Sequence, residues 1–248
     1  MDAVGQVLLG WIAFGGTHTA LSHPPLRERL VAKLGARGFL LTYSLVAFAT
    51  FGPLAWIFFT SRVPAAVPLS VLATVPGIWW LTMAMMFVAV NLIVIGFSQP
   101  NPVSALMAGM GGAQPAGGGA ADAMDAGGRA GDGDAARGAL RITRHPAFMG
   151  VALAGLAHLL VNPAPIDRAF FGGMALYALL GCAHQDWRRR RAGGAELARF
   201  FAVTSFLPFV AIAQGRNRLV ANELRPAILA AAAVVFGLIF FTHHRIFG

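Results

Sequence analysis

The sequence holds a single cysteine, Cys182, in 248 residues. One thiol excludes an internal disulfide and any CxxC metal or redox motif. Cys182 stands in an apolar run and is read as a packing residue. Charge is also scarce, at 12% of residues. No GxxxxGK[ST] phosphate loop, HExxH, Ser-His-Asp set or pair of buried carboxylates is present. The N-terminal stretch "MDAVGQVLLGWIAF" has no basic n-region, so a cleaved signal peptide is not expected and this stretch reads as a first membrane helix. The 19 basic against 10 acidic residues would suit a nucleic acid, but the hydrophobic content of 57% argues otherwise. Several apolar runs approach the ~20 residues that cross a bilayer. The expected partner is therefore lipid, with no nucleic acid.

The expected fold is all-α, a polytopic membrane bundle of about six transmembrane helices. The spans are read at 4–21, 39–59, 69–97, 147–161, 168–184 and 226–243. A further apolar stretch, 200–213, is short and carries Thr204, Ser205 and Pro208, so it reads as an interfacial or re-entrant helix. With the N-terminus outside, sixteen of the nineteen basic residues fall on the inner side. Only Arg62, Arg168 and Arg245 stay outside, a strong positive-inside bias. A full span at 200–213 would move Arg216, Arg218 and Arg225 outward, so six spans are preferred. Both termini then lie outside.

Residues 1–248 are read as a single membrane domain interrupted by residues 108–138. That segment has eleven glycines, four aspartates and almost no large side chains. It cannot bury enough apolar surface to offset its ordering entropy, so it is expected to be a flexible cytoplasmic linker.

Seven histidines stand against this apolar background. His243 and His244 read as a polar helix end, and His23 as interfacial. The other four fall in or at the mouths of spans: His18 in the first, His145 and His158 at the start and interior of the fourth, and His184 at the end of the fifth. Ionisable groups inside spans are costly and face the bundle interior with a partner. Neutral imidazoles can serve as interhelical hydrogen-bond donors, or they can hold a cofactor. Helix spacing puts Gly150, Ala154 and His158 on one face, and Trp11, Gly15 and His18 on another. Gly173, Tyr177, Gly181 and His184 fall together in the fifth span. Small residues beside imidazoles and aromatics suit close helix packing, or a porphyrin whose iron takes imidazole.

Depth limits the pairings. His145 and His158 are about 20 Å apart along one helix, too far to share an iron. His18 could pair with His158 through a tilted helix, or with His145 or His184 by depth alone. Asp186 is expected to pair with neighbouring arginines. Arg188 to Arg191 read as an inner anchor that attracts anionic lipid. Asn91 reads as a polar group between helices.

The stretches "GWIAFGGTHTALSHPPLRERL", "LRITRHPAFMGVALAGLAHLLVN" and "GCAHQDWRRR" resemble the NnrU family of bacterial membrane proteins over nearly the whole chain outside the linker. That resemblance implies an inner-membrane protein supporting denitrification, through nitrite or nitric oxide reductase activity. Denitrification reductases or their assembly machinery are the implied partners. The family is also similar to plant zeta-carotene isomerase, a haem b membrane protein. That kinship implies haem b as a cofactor, with His18 and His158 as the leading iron ligands and His145 and His184 as further candidates. It leaves open an isomerase-like or redox enzyme and a non-enzymatic assembly factor. "RHPAFMG" also resembles the S-adenosylmethionine-binding element of membrane methyltransferases, at Arg144, His145, Pro146 and Gly150, with Phe148 in place of tyrosine. The glycine-rich lead-in is absent and the later acidic pair is reduced to Glu196.

Replacing residues 110–133 with a short Gly-Ser linker should leave membrane insertion and the thermal midpoint nearly unchanged. Loss of folded protein in detergent would contradict the linker reading.

Overall fold

The computed structural model describes residues 1–62, 74–98 and 136–247, with side chains up to His243. The described residues are helical and include no strand. Eight α-helices run in chain order. They are α1 (Ala3–Ser22), α2 (Pro24–Ser61), α3 (Ile78–Phe97), α4 (Pro146–Val161), α5 (Pro165–Ala192), α6 (Ala195–Val203), α7 (Val210–Ala213) and α8 (Pro226–Phe247). Short 3₁₀ turns occupy Gly138–Arg141 and Ala221–Glu223.

Local chemistry sets the helix starts. Asp2 Oδ1 accepts the Gly5 amide at 2.8 Å and caps α1. Helices α2, α4, α5 and α8 each begin at a proline, whose fixed φ suits the first helical position and whose missing N–H would be unpaired there anyway. Gly35 (φ 71°, ψ 166°) breaks α2, a conformation that glycine adopts without steric cost. The break separates the charged stretch holding Arg27, Glu28, Arg29 and Lys33 from the apolar part expected to span from Phe39.

Four helices are long and apolar enough to cross a membrane: Pro24–Ser61, Ile78–Phe97, Pro165–Ala192 and Pro226–His243. The first and fourth expected spans are not among them. The 16 residues of α4 rise about 24 Å, short of a ~30 Å hydrocarbon core. The 20 residues of α1 are diluted by Gln6, Thr17, His18 and Thr19. The expected third span begins outside the described residues, as does the linker apart from residues 136–138. Those three are fastened: Ala136 is buried and the Gly138 amide donates to Glu223 Oε2 at 2.7 Å.

The expected interfacial helix at 200–213 is instead two short helices, α6 and α7, joined by a non-helical stretch at 204–209. Thr204, Ser205, Pro208 and a left-handed Phe209 (φ 65°) prevent one continuous helix. The Phe209 amide donates to Ile142 O at 2.8 Å, which holds this costly conformation in place.

The long helices pack in the order α2, α1, α5, α4, α3, α8, so α5 sits centrally and α8 lies at one edge. One apolar core joins Val7 and Trp11 of α1, Leu54 and Phe58 of α2, and Phe170 of α5. The Phe58 and Phe170 rings stack there at 4.0 Å. A second core joins Leu92, Ile142, Met149 and Cys182. Cys182 is fully buried, as its packing role requires. Large apolar side chains also point outward, with Phe48 76% and Phe241 72% exposed. Surfaces of that kind call for a lipid surround rather than water.

Small residues on two faces of α4 serve close packing. A Cβ on Gly150 would lie 2.6 Å from Ala89 O of α3, and one on Gly155 2.7 Å from Phe171 O of α5. Gly150→Ala should therefore force α3 and α4 apart and cost about 1–3 kcal/mol. Gly172→Ala, where a Cβ meets nothing within 4 Å, should leave stability unchanged or higher. Detergent thermal melts check both, and equal midpoints for the two variants would contradict the packing argument.

Candidate functional site

The histidines sort into three separate surroundings. The first is the contact of α1 with α5. His18 is 8% exposed, with the rings of Phe14, Tyr43 and Tyr177 at 4.4, 4.5 and 6.0 Å. Its buried Nδ1 makes no hydrogen bond to a described residue. Trp11 and Gly15 of the same face meet α5 at Gly173 and Tyr177, as the spacing groups them. Gly181 turns instead to Phe148 of α4. At the end of the same contact His184 stacks with His23 (6.0 Å) and Trp187 (5.6 Å). Its Nδ1 lies 3.5 Å from Ser22 Oγ, and its Nε2 is buried without a partner.

The second surrounding is a buried polar clasp. Asp186 of α5 takes Arg144 Nε on Oδ2 at 3.0 Å and His145 Nε2 on Oδ1 at 2.7 Å. Arg144 Nη1 also donates to Thr204 O at 2.9 Å. The Arg144 amide donates to Ser205 O, and Thr143 Oγ1 to Phe206 O at 2.7 Å. The guanidinium groups of Arg144 and Arg190 lie 4.7 and 4.3 Å from the Phe201 ring centroid. Burial lowers the His145 pKa, opposed by its hydrogen bond to Asp186. In its neutral form, the imidazole donates Nε2–H to the carboxylate. The methyltransferase-like residues are thus committed within the fold: Arg144 and His145 to Asp186, and Gly150 to the α3 backbone. Glu196 lies exposed in the first turn of α6.

The third is a groove of about 430 Å³ between α3, α4 and α8. Trp79, Met83 and Met86 line it from α3, His158 and Asn162 from the end of α4, and Phe236, Phe240 and His243 from α8. His158 stacks on Phe171 at 4.2 Å and lies 6.0 Å from the His243 ring. Its Nδ1 is 2.8 Å from Ala154 O. A carbonyl only accepts, so Nδ1 carries the proton and the neutral ring keeps its lone pair on Nε2.

Helix α5 stands between His18 and His158, and no neighbouring ring is shared by the two. His145 and His184 also stay apart from His158. No group of three or more His, Cys, Asp or Glu side chains able to hold a metal ion occurs among the described residues. A haem makes a different demand: one or two axial donors and flat apolar walls. The His158 groove offers donors and walls of that kind: an imidazole oriented through its second nitrogen, thioethers at Met83 and Met86, and aromatic side chains.

A family model for the NnrU protein matches residues 6–248. The chain belongs to the NnrU family. No curated protein and no solved structure matches it.

Sequence reading missed the groove partners of His158. His243 was expected as a polar helix end, yet it lines the groove. The signal lay in spacing: Trp79, Met83 and Met86 recur at four and three residues, as do Phe236, Phe240 and His243. Asn91 bonds to Phe87 O within α3 at 2.8 Å rather than to another helix.

One more clasp fixes this end of the fold. Glu223 accepts from Arg141 Nε and Nη2, each at 2.8 Å, and from the Gly138 amide. The Arg141 guanidinium holds the Glu223 pKa down at about 2, from an ordinary value of 4.5. A depressed carboxylate pKa stabilises the fold above the unfolded value and loses that contribution as pH falls through the folded one. The thermal midpoint of the parent should exceed that of Glu223→Gln at neutral pH. The gap should begin to close below about 4.5 and vanish near 2. A gap independent of pH would exclude the ionised clasp as its source.

Proposed function

We propose that this chain is a multi-pass protein of the bacterial inner membrane that supports denitrification and holds haem b through His158. Family membership supports the denitrification reading, through nitrite or nitric oxide reductase activity. The basic excess expected on one side supports the membrane reading. In this reading α1 and α4 also cross, beside the four longer apolar helices, and six crossings would leave both termini on the outer side.

One observation carries the cofactor reading. The Nδ1–H of His158 is spent on Ala154 O, so Nε2 remains as a neutral donor to a metal. The ring is braced by Phe171 and set in an apolar groove. A haem held there would supply iron-centred redox or Lewis-acid chemistry. His158 would bind it, Trp79, Phe236 and Phe240 would exclude water, and His243 or a methionine would offer a second donor. His18 is divided from this groove by α5, so it does not share the ligand set in this reading.

The test is haem per protein, with a visible spectrum, after purification from membranes. The parent should show a Soret band. His158→Gln should lose most of it, and His145→Gln should retain it. Equal retention in both would remove His158 as a ligand. Selective loss in His18→Ala would move the site to the contact of α1 with α5. A parent that stays colourless with added haemin would overturn the haem reading and leave an assembly factor as the function.

A further inference from the structure

The chain that returns from α6 through α7 toward α8 forms a second cavity, of about 310 Å³, against Ala136 and the Gly138–Arg141 turn. Arg141, Arg216 and Arg218 line it together with Asn217, and no carboxylate among the described residues does. The charge of Arg141 is already matched by both oxygens of Glu223. Arg216 is fixed differently. Its Nε donates to Gln214 Oε1 at 2.9 Å, and its Nη1 to Ala202 O at 2.6 Å and Thr204 O at 2.9 Å. All three acceptors are uncharged, so the guanidinium is held while its charge meets no carboxylate among the described residues, to which Nη2 makes no hydrogen bond. The Arg218 side chain has no hydrogen bond or ion pair with any described residue.

One rigid and one free guanidinium face one cavity and, among the described residues, meet no carboxylate there beyond the Glu223 that Arg141 holds, which makes a cationic fork. Arginine pairs best with planar or tetrahedral oxyanions through parallel N–H donors. Holding Arg216 in advance lowers the ordering cost of binding. Position narrows the class further. Arg216 and Arg218 come shortly before α8 begins at Pro226, at the bundle end where α3 finishes beside Gly138. Basic groups at that depth meet the phosphates of anionic lipids, as well as soluble phosphates.

We propose that this cavity is a binding site for a phosphate group, presented by an anionic lipid headgroup or by a soluble phosphate. Two probes separate the sources on the delipidated full-length protein in detergent. Native mass spectrometry counts retained phosphatidylglycerol against phosphatidylcholine, and calorimetry follows inorganic phosphate. Retention of phosphatidylglycerol with little binding of inorganic phosphate assigns the lipid. Binding of inorganic phosphate assigns the soluble source. In either case Arg218→Gln, an exposed side chain whose loss leaves the melt unchanged, should weaken binding about tenfold. Arg191→Gln, on the exposed end of α5, should not. Equal weakening by both variants would show diffuse surface charge and overturn the site, as would a parent that binds neither probe.

Discussion

A buried carboxylate holds one end of this bundle together. Asp186 sits at the end of α5 and takes Arg144 on one oxygen and His145 on the other. Both partners immediately precede α4, so α4 and α5 are pinned at their shared end. Through Arg144 the same group reaches Thr204 and the return from α6 to α7. Removing one member of such a set leaves the others buried without compensation, which is far costlier than the pair is worth. Two apolar helices, with little to choose between rotations in lipid, gain a fixed register from this one polar contact.

With that end fixed, the candidate histidines separate by environment. His145 is consumed by the clasp. His18 and His184 lie along the contact of α1 with α5, among aromatic rings. His158 faces outward from α4 into a groove whose other walls come from α3 and α8. There an oriented imidazole meets open apolar space of ligand size.

The helical class was legible because apolar runs and proline starts report local physics. So were the helix faces: the Trp11, Gly15 and His18 face does meet α5. The span count was harder. The deciding difference lies in small shortfalls of length or apolarity in α1 and α4, which periodicity does not weigh. Pairings across the chain were illegible. Arg144 and Asp186 are 42 residues apart, and Arg141 and Glu223 82 apart. A charge pattern within one helix carries no information about either. The broken stretch at 200–213 announced itself through Thr204, Ser205 and Pro208. What it packs against did not.

The position of α8 sets the route into the groove. This helix meets the long-helix bundle chiefly along α3, at the edge of the row, and it forms one whole wall beside His158. A wall secured along a single seam separates more readily than one wedged between two neighbours. Exchange of a greasy ligand would therefore run sideways, between α8 and α4, straight from the acyl chains. Loading and release would then answer to bilayer composition and lateral pressure rather than to solute concentration in water.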